Sequence, residues 1–281
     1  MKKQTILRAA LCIGLFSLIF IACSKNNDGS SDQTVPNGKQ NLSLFLTDAP
    51  GFFDNVSVDI KSVQVLVDTC GNSSLWQGIA SGCQTWETLA IKPGVYDLLS
   101  LRNGTDTLLA QGNVINGKVV LVKIELGTDN SLIKDSVKYP LHLTKLTEPY
   151  IYLTLTGNEW ERYEKNKSRL WLDFDVARSI VVIGNDFFLK PVIHVFVKST
   201  TGAIGGVVSP MAAFPVISVY NSKDTAYALP NRDGRFLVRG LQPGTYSLNV
   251  NASNGYNDTT IANINIKTGE LDLEKIVLKR K

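Results

Sequence analysis

Histidine is scarce in this chain: His142 and His194 are the only two among 281 residues, and neither has a carboxylate or cysteine at a ligand-like offset. That spacing does not suit a zinc site, and both read as ordinary strand residues. No G-x-S-x-G, P-loop or dinucleotide fingerprint occurs, and Gly205-Gly206 opens a strand where a phosphate cradle would need a turn into a helix. Long amphipathic helical patterns are absent, as is any basic stripe interleaved with aromatics. The net charge is +4, of which Lys2, Lys3 and Arg8 supply +3, so the chain beyond residue 22 carries 4 − 3 = +1. A balance this close to neutral argues against a nucleic-acid partner. With no catalytic constellation in view, the expectation is a non-enzymatic protein without a cofactor.

The N-terminus is the first positive signal. Behind Lys2, Lys3 and Arg8 runs the apolar stretch Ala9–Ile21, closed by the small Ala22. It is too short for a transmembrane helix and has the form of a processing segment. Leu18-Ile19-Phe20-Ile21-Ala22-Cys23-Ser24 resembles the lipobox of a bacterial lipoprotein, although Phe20 stands where Leu is more usual. The resemblance implies cleavage before Cys23 and lipid on its sulfur, with more than one acyl chain giving stable anchoring. The competing reading is an ordinary signal peptide or anchor with an incidental cysteine. On the lipobox reading residues 1–22 are a signal peptide, 281 − 22 = 259 residues remain, and polar residues 23–40 are a flexible tether. The expected place is the bacterial cell envelope, lipid-anchored to the outer membrane; Lys25, Asp28 and Asp32 resemble a surface-export signal, which leaves both the outward and the inward leaflet open.

Two cysteines remain, Cys70 and Cys83, flanking a Gly/Ser-rich loop. In an exported chain such a pair reads as a disulfide, and closing a loop of this length stabilises by about 3 kcal/mol in the chain-entropy model. Around it the pattern is strand throughout. Leu42, Leu44 and Leu46 alternate with polar residues, and Thr47–Gly51 punctuates. Val56, Val58 and Ile60 then hand over to Val63, Val65 and Val67, a one-residue parity slip that predicts a β-bulge at Lys61-Ser62. Thr85–Leu89, Val95–Leu101, Thr107–Gln111, Lys118–Leu126, Tyr150–Thr156 and Arg169–Asp175 continue as strands, with turns at Asn103–Asp106 and Asn116-Gly117 and a charged loop over Gly157–Ser168. Ala177–Val182 suits one helical turn, and Phe187–Lys198 a last strand broken by Pro191. Roughly ten strands without long helices predict an all-β domain, sandwich or barrel-like, over 41–200.

Four blocks in order, Leu44–Val65, Tyr96–Gly104, Leu172–Val181 and Phe188–Val195, resemble the bacterial lipoprotein family catalogued as domain of unknown function 4382. That resemblance implies a β-rich exported domain and brings no established activity. From Asp233-Gly234 to Val250 the pattern D-G-x-F-x-V-x-G-L-x-P-G-x-Y-x-L-x-V resembles the carboxypeptidase regulatory-like domain, which implies a small seven-stranded prealbumin-like sandwich over 201–281. Domains of that kind serve as spacers, stabilisers and glycan binders, and fold does not choose among these.

The candidate sites follow from side-chain type. Asp173 and Asp175 share a strand face with Trp171, about 7 Å apart, a spacing that suits a Ca²⁺ ion or glycoside chemistry and equally a solvated face or turn caps paired with Arg178 or Lys190. Asp48, Asp54 and Asp59 form a second acidic group that would strengthen the cation reading if the two converged. Trp76, Trp86, Trp160 and Tyr163 lie in or beside loops, where aromatics stack on sugars or anchor partners; the alternative is that each pins its own loop to the domain. Two functions stay open: a binding or adhesion module for glycan or protein, and a structural subunit or spacer of an envelope assembly that pairs by strand addition.

Overall fold

The computed structural model describes residues 35–49, 51–70, 82–143, 149–156 and 159–281. β1 (Lys39–Ala49), β2 (Asn55–Asp68), β3 (Gln84–Ile91) and β4 (Gly94–Asp97) lead into a 3-10 turn, Leu98–Leu101. β5 (Thr107–Ile115), β6 (Lys118–Leu126), β7 (Ser131–Lys134), β8 (Val137–Leu143) and β9 (Tyr150–Thr154) follow. β10 (Glu161–Glu164) and β11 (Lys167–Asp175) precede one helical turn, α1 (Val176–Ser179), and β12 (Ile180–Ile183), β13 (Asp186–Leu189) and β14 (Ile193–Phe196) complete the first half. The chain is all-β, and among the described residues no helix is long and apolar enough to cross a membrane.

Alternation decides which way each strand faces. Leu42, Leu44 and Leu46 of β1 are all at most 1% exposed, with β11 parallel on one side and β5 antiparallel on the other. The parity slip in β2 is a bulge: its register against β6 shifts between Ile60 and Ser62, Lys61 is exposed, and the valines on both sides of it stay in the core. One edge of β2 can therefore hold β4 and then β3, while the other holds β7 and then β6. β3 continues past β2 to pair Ala90 and Ile91 with β5, so it turns the corner between the two sheets that enclose the large core. Cys70 and Cys83 are joined, with Cα atoms 5.5 Å apart, at the open end of the β2–β3 pair.

Local departures from expectation have local causes. Val95–Leu101 is not one strand: β4 stops at Asp97 and Leu98, Leu99 and Leu101 turn inward as a buried 3-10 segment. The β7–β8 hairpin escaped notice because its turn, Asp135-Ser136, takes φ of 51° and 64° without glycine; Ser136 N–H donates to Asp54 Oδ2 at 2.9 Å. Within Gly157–Ser168 the chain forms β10 and the start of β11, a charged hairpin. The helical turn near Ala177 is confined to Val176–Ser179, and Ile180 already belongs to β12.

The second half is a sandwich of two four-stranded sheets around its own core. One sheet holds β15 (Gly202–Ser209), β18 (Arg235–Leu241), β21 (Gly269–Asp272) and β22 (Ile276–Val277). The other orders β17 (Thr225–Ala228), β16 (Val216–Tyr220), β19 (Gly244–Asn251) and β20 (Thr259–Ile266). The expected seven strands are eight, because the last course along β15 breaks: β21 pairs with Gly202–Gly205 and β22 resumes at Val208–Ser209. Residues Val35–Lys281 form one compact unit, so the two cores meet along a seam.

Candidate functional site

The outer face of the β3-β2-β6-β9 layer carries exposed aromatic and charged side chains side by side. Because side chains alternate, the residues opposite the core valines share this face. The register sets Trp86 beside Leu66 and Leu121, Thr88 beside Gln64 and Lys123, and Tyr152 beside Lys123. Trp86 is 43% and Tyr152 51% exposed, high values for residues so large. Lys123 lies between the aromatics, its Nζ 4.0 Å from the Tyr150 ring centre and 6.0 Å from that of Trp86, while Tyr150 and Tyr152 are 6.3 Å apart. Ser62 donates to Glu125 Oε2 at 2.7 Å and Gln64 Nε2 to Thr88 Oγ1 at 3.2 Å, which fixes the polar groups among the rings. From β3 to β9 is three strand spacings, ~14 Å. Aromatic faces at both ends with amide, carboxylate and ammonium groups between them suit stacking and hydrogen bonding to a long polar ligand. A face built for a protein partner would be more apolar at its centre.

The sequence singled out only Trp86 of this set. Tyr150 and Tyr152 read as strand residues; their signal was the i, i+2 spacing of two tyrosines on a strand. Trp76 lies outside the described residues, as does Cys23. Trp160 is half-buried against the large core, which withdraws it from the set of exposed loop aromatics. Tyr163 is 38% exposed and stacks under Arg169, whose Cζ is 5.0 Å from its ring centre and whose Nη2 donates to Glu161 at 2.7 Å.

The carboxylate face around Trp171 is only partly solvated, contrary to one expectation: Trp171 and Asp175 are buried and Asp173 is half-buried. Phe45, Trp171 and Phe196 occupy one cross-strand row of β1, β11 and β14, stacked with centroids 5.3 and 6.1 Å apart, and Trp171 is 2% exposed. Asp106 locks this row to the second half. Its Oδ2 accepts from Trp171 Nε1 at 3.1 Å, Lys198 Nζ at 3.0 Å and Arg239 Nη1 at 3.1 Å. Burial alone would raise its pKa, but these donors and the Lys198 charge outweigh burial and hold the carboxyl below the usual range. Asn103 adds a second clasp, donating to Leu229 O at 3.0 Å and accepting from Leu237 N–H at 3.3 Å.

Asp175 is 2% exposed and fully used: Oδ1 accepts from Arg178 N–H at 2.9 Å to cap α1, and Oδ2 pairs with the Arg178 guanidinium. This is the turn-capping role. The other acids divide. Asp54 serves the β7–β8 turn and Asp59 pairs with Lys61 at 2.8 Å, while Asp48 alone approaches Asp173. Among the described residues no three His, Cys, Asp or Glu side chains group to hold a metal ion. His142, on β8, rests against Phe188 of β13, and His194 Nε2 is 3.0 Å from Arg178 Nη2.

Asp48 is 6% exposed and neither carboxylate oxygen has a hydrogen-bond partner. Burial first, then the Asp173 charge, push its pKa well above the usual value; Arg102 and the Val176 N–H pull the other way without completing a bond, and Asp175 adds to the rise. Since the folded pKa exceeds the unfolded value of about 4, Asp48 costs nothing in acid. Stability then falls as pH rises from that value through the raised pKa. Asp48→Asn is expected to remove that slope and to stabilise the protein at neutral pH by about 1–2 kcal/mol, read by urea denaturation at several pH values. An unchanged slope would show that Asp48 is not its source.

An all-β chain with a tyrosine- and tryptophan-bearing sheet face and two clasped cores is thus defined. It belongs to the family described as domain of unknown function 4382, whose model matches residues 39–191. No curated protein matches the chain. Among solved structures, a type II cohesin–X-dockerin complex from Acetivibrio cellulolyticus is 20% identical at a TM-score of 0.24, covering 28% of this chain and 58% of that one, under two thirds of its length. The Bacillus anthracis TIE protein is 10% identical at 0.24 over 86% of this chain and 34% of that one. The shaft pilin SpaA of Lactobacillus rhamnosus GG is 9% identical at 0.24, covering 86% and 98% respectively. TM-scores this low leave these likenesses without bearing on what the chain does.

Proposed function

We propose that this chain is a non-enzymatic, lipid-anchored glycan-binding module of the bacterial cell surface. The observation that carries the reading is the exposed sheet face on which Trp86, Tyr150 and Tyr152 surround Lys123. Sugars present apolar C–H faces to stack on rings and hydroxyls to meet fixed amides and carboxylates, and this face supplies both. Cys23 is the tether, residues 23–40 the spacer, and the second sandwich, read as carboxypeptidase regulatory-like, a stabilising platform. Ca²⁺ has no part in this reading, since Asp175 is occupied by Arg178. The test is affinity electrophoresis through gels containing individual polysaccharides: retardation in at least one gel, weakened at least tenfold by Trp86→Ala, is expected. Equal retardation of the variant would move binding elsewhere.

A second reading, assembly by strand addition, is favoured by β12. It ends its sheet, and Val181, Val182 and Ile183 are 37%, 58% and 58% exposed. Its four-residue length leaves little backbone to pair, which ranks it second.

A further inference from the structure

The two sheets of the second sandwich differ in character. Arg235, Arg239, Glu270 and Asp272 lie in β18 and β21 of one sheet. The strands of the other, β16, β17, β19 and β20, contain no charged residue, in a chain of which 19% is charged. Alternation buries Ile217, Val219, Leu248 and Val250, all 0% exposed, and turns their neighbours outward. The register then sets Ser218 between Tyr227 and Asn249, and Tyr220 between Thr225 and Ser247. A strand face that only has to be soluble carries lysine and glutamate. This one offers hydroxyls, amides and two tyrosines, 37% and 40% exposed. Beside the turn from β16 to β17 it holds an open depression of about 440 Å³, lined by Tyr220, Asn221, Ser222, Thr245, Tyr246 and Ser247. Each of the six carries a hydroxyl or an amide. The frame around it is fixed: Asn221 Oδ1 accepts from the Lys223 and Asp224 N–H groups at 2.8 and 3.0 Å, and the Tyr246 hydroxyl donates to Gln242 O at 3.0 Å. Lys223 and Asp224 on the turn are of opposite sign, so an ion gains no net attraction here.

We propose that this depression is a second sugar site, selective for an uncharged hexose unit. The C–H face of the ring lies on Tyr220, and its hydroxyls exchange hydrogen bonds with Ser222, Thr245 and Ser247. An acidic sugar or a phosphate would meet no matching cation, and an apolar side chain no aliphatic pocket. The site sits on the other half of the chain from Trp86 and holds or fails independently of that face. A depression that covers one ring binds with a Kd of about 1 mM, too weakly to be retained through the washing of an array.

The test is calorimetric titration of residues 35–281 carrying Trp86→Ala and Tyr152→Ala, so that the first face does not contribute. Saturable binding of at least one of maltotetraose, cellotetraose and mannotetraose, and none of tetragalacturonate, is expected. Adding Tyr220→Ala should weaken that binding at least tenfold. Thr245→Arg, which keeps the ring and lays a long side chain across the depression from an exposed position, should do the same. Both changes lie on the surface, so the melting temperature should hold. No binding of any of the three neutral sugars, equal binding of tetragalacturonate, or binding that survives both substitutions would overturn the proposal. Dimerisation of residues 35–281 that Tyr220→Ala removes would overturn it too, and give the face to a second copy of the chain.

Discussion

Trp171→Ala is expected to lower stability by about 3–5 kcal/mol, the range for removing a large buried aromatic. The ring stacks between Phe45 and Phe196, with Lys198 Nζ 4.5 Å from its centre, and its N–H is one of three donors on Asp106. Truncation therefore opens a cavity and strips a donor from a carboxylate that two cations also need. The large core on the other face of β11, Leu170, Leu172 and Phe174, is untouched. The loss should thus concentrate at the seam, with hydrogen exchange accelerating first around Asn103 and in β18. Asp106 adds a pH signature of opposite sign to that of Asp48. Its folded pKa lies below the unfolded value of about 4, so its contribution is present above that pH and lost as pH falls through the depressed pKa. A loss under 1 kcal/mol, read by urea denaturation, would mean that the stack is not a keystone.

Gly234→Ala should be the most damaging small change in the second sandwich, by about 2–4 kcal/mol. Gly234 sits at φ 80°, where a Cβ is strained, and that Cβ would meet the backbone carbonyl oxygen of Val208. Backbone cannot yield as a side-chain tip does, so β15 and β18 must separate. Gly255 is a control: at φ 79° it has the same strain but open space around it, so its alanine variant should cost about 1 kcal/mol or less. Equal losses at the two positions in thermal unfolding would show that strain, and not contact, sets the cost.

Gly234 also illustrates what could be read beforehand. The bulge at Lys61 and the Cys70–Cys83 bond each have a one-dimensional signal, a parity slip and an even pair, and Asp233-Gly234 announces a turn, although it leads from β17 in one sheet to β18 in the other and does not close a hairpin. β7 and β8 lacked one, because their turn uses Asp135 and Ser136 in a conformation that ordinarily announces itself through glycine or asparagine. The sites were harder for a different reason. Asp175 was visible as an acid beside Arg178, and one of its readings, the cap, is what the fold uses. Trp86 was visible as an aromatic near a loop, but Lys123, Tyr150 and Tyr152 join it only across strands far apart in sequence. Asp106 sits in a turn and gains meaning from Lys198 and Arg239, 92 and 133 residues away. Spacing along a strand is legible in one sequence; adjacency across strands is not.

The most direct measurement is a glycan array probed with residues 35–281, wild type beside the Trp86→Ala/Tyr152→Ala double variant. Saturable binding to one class of polysaccharide by the wild type, lost in a double variant that keeps its melting temperature, is the predicted result. Wild-type binding that survives the double substitution, or no binding to any glycan, would contradict the assignment of the sheet face as a sugar platform.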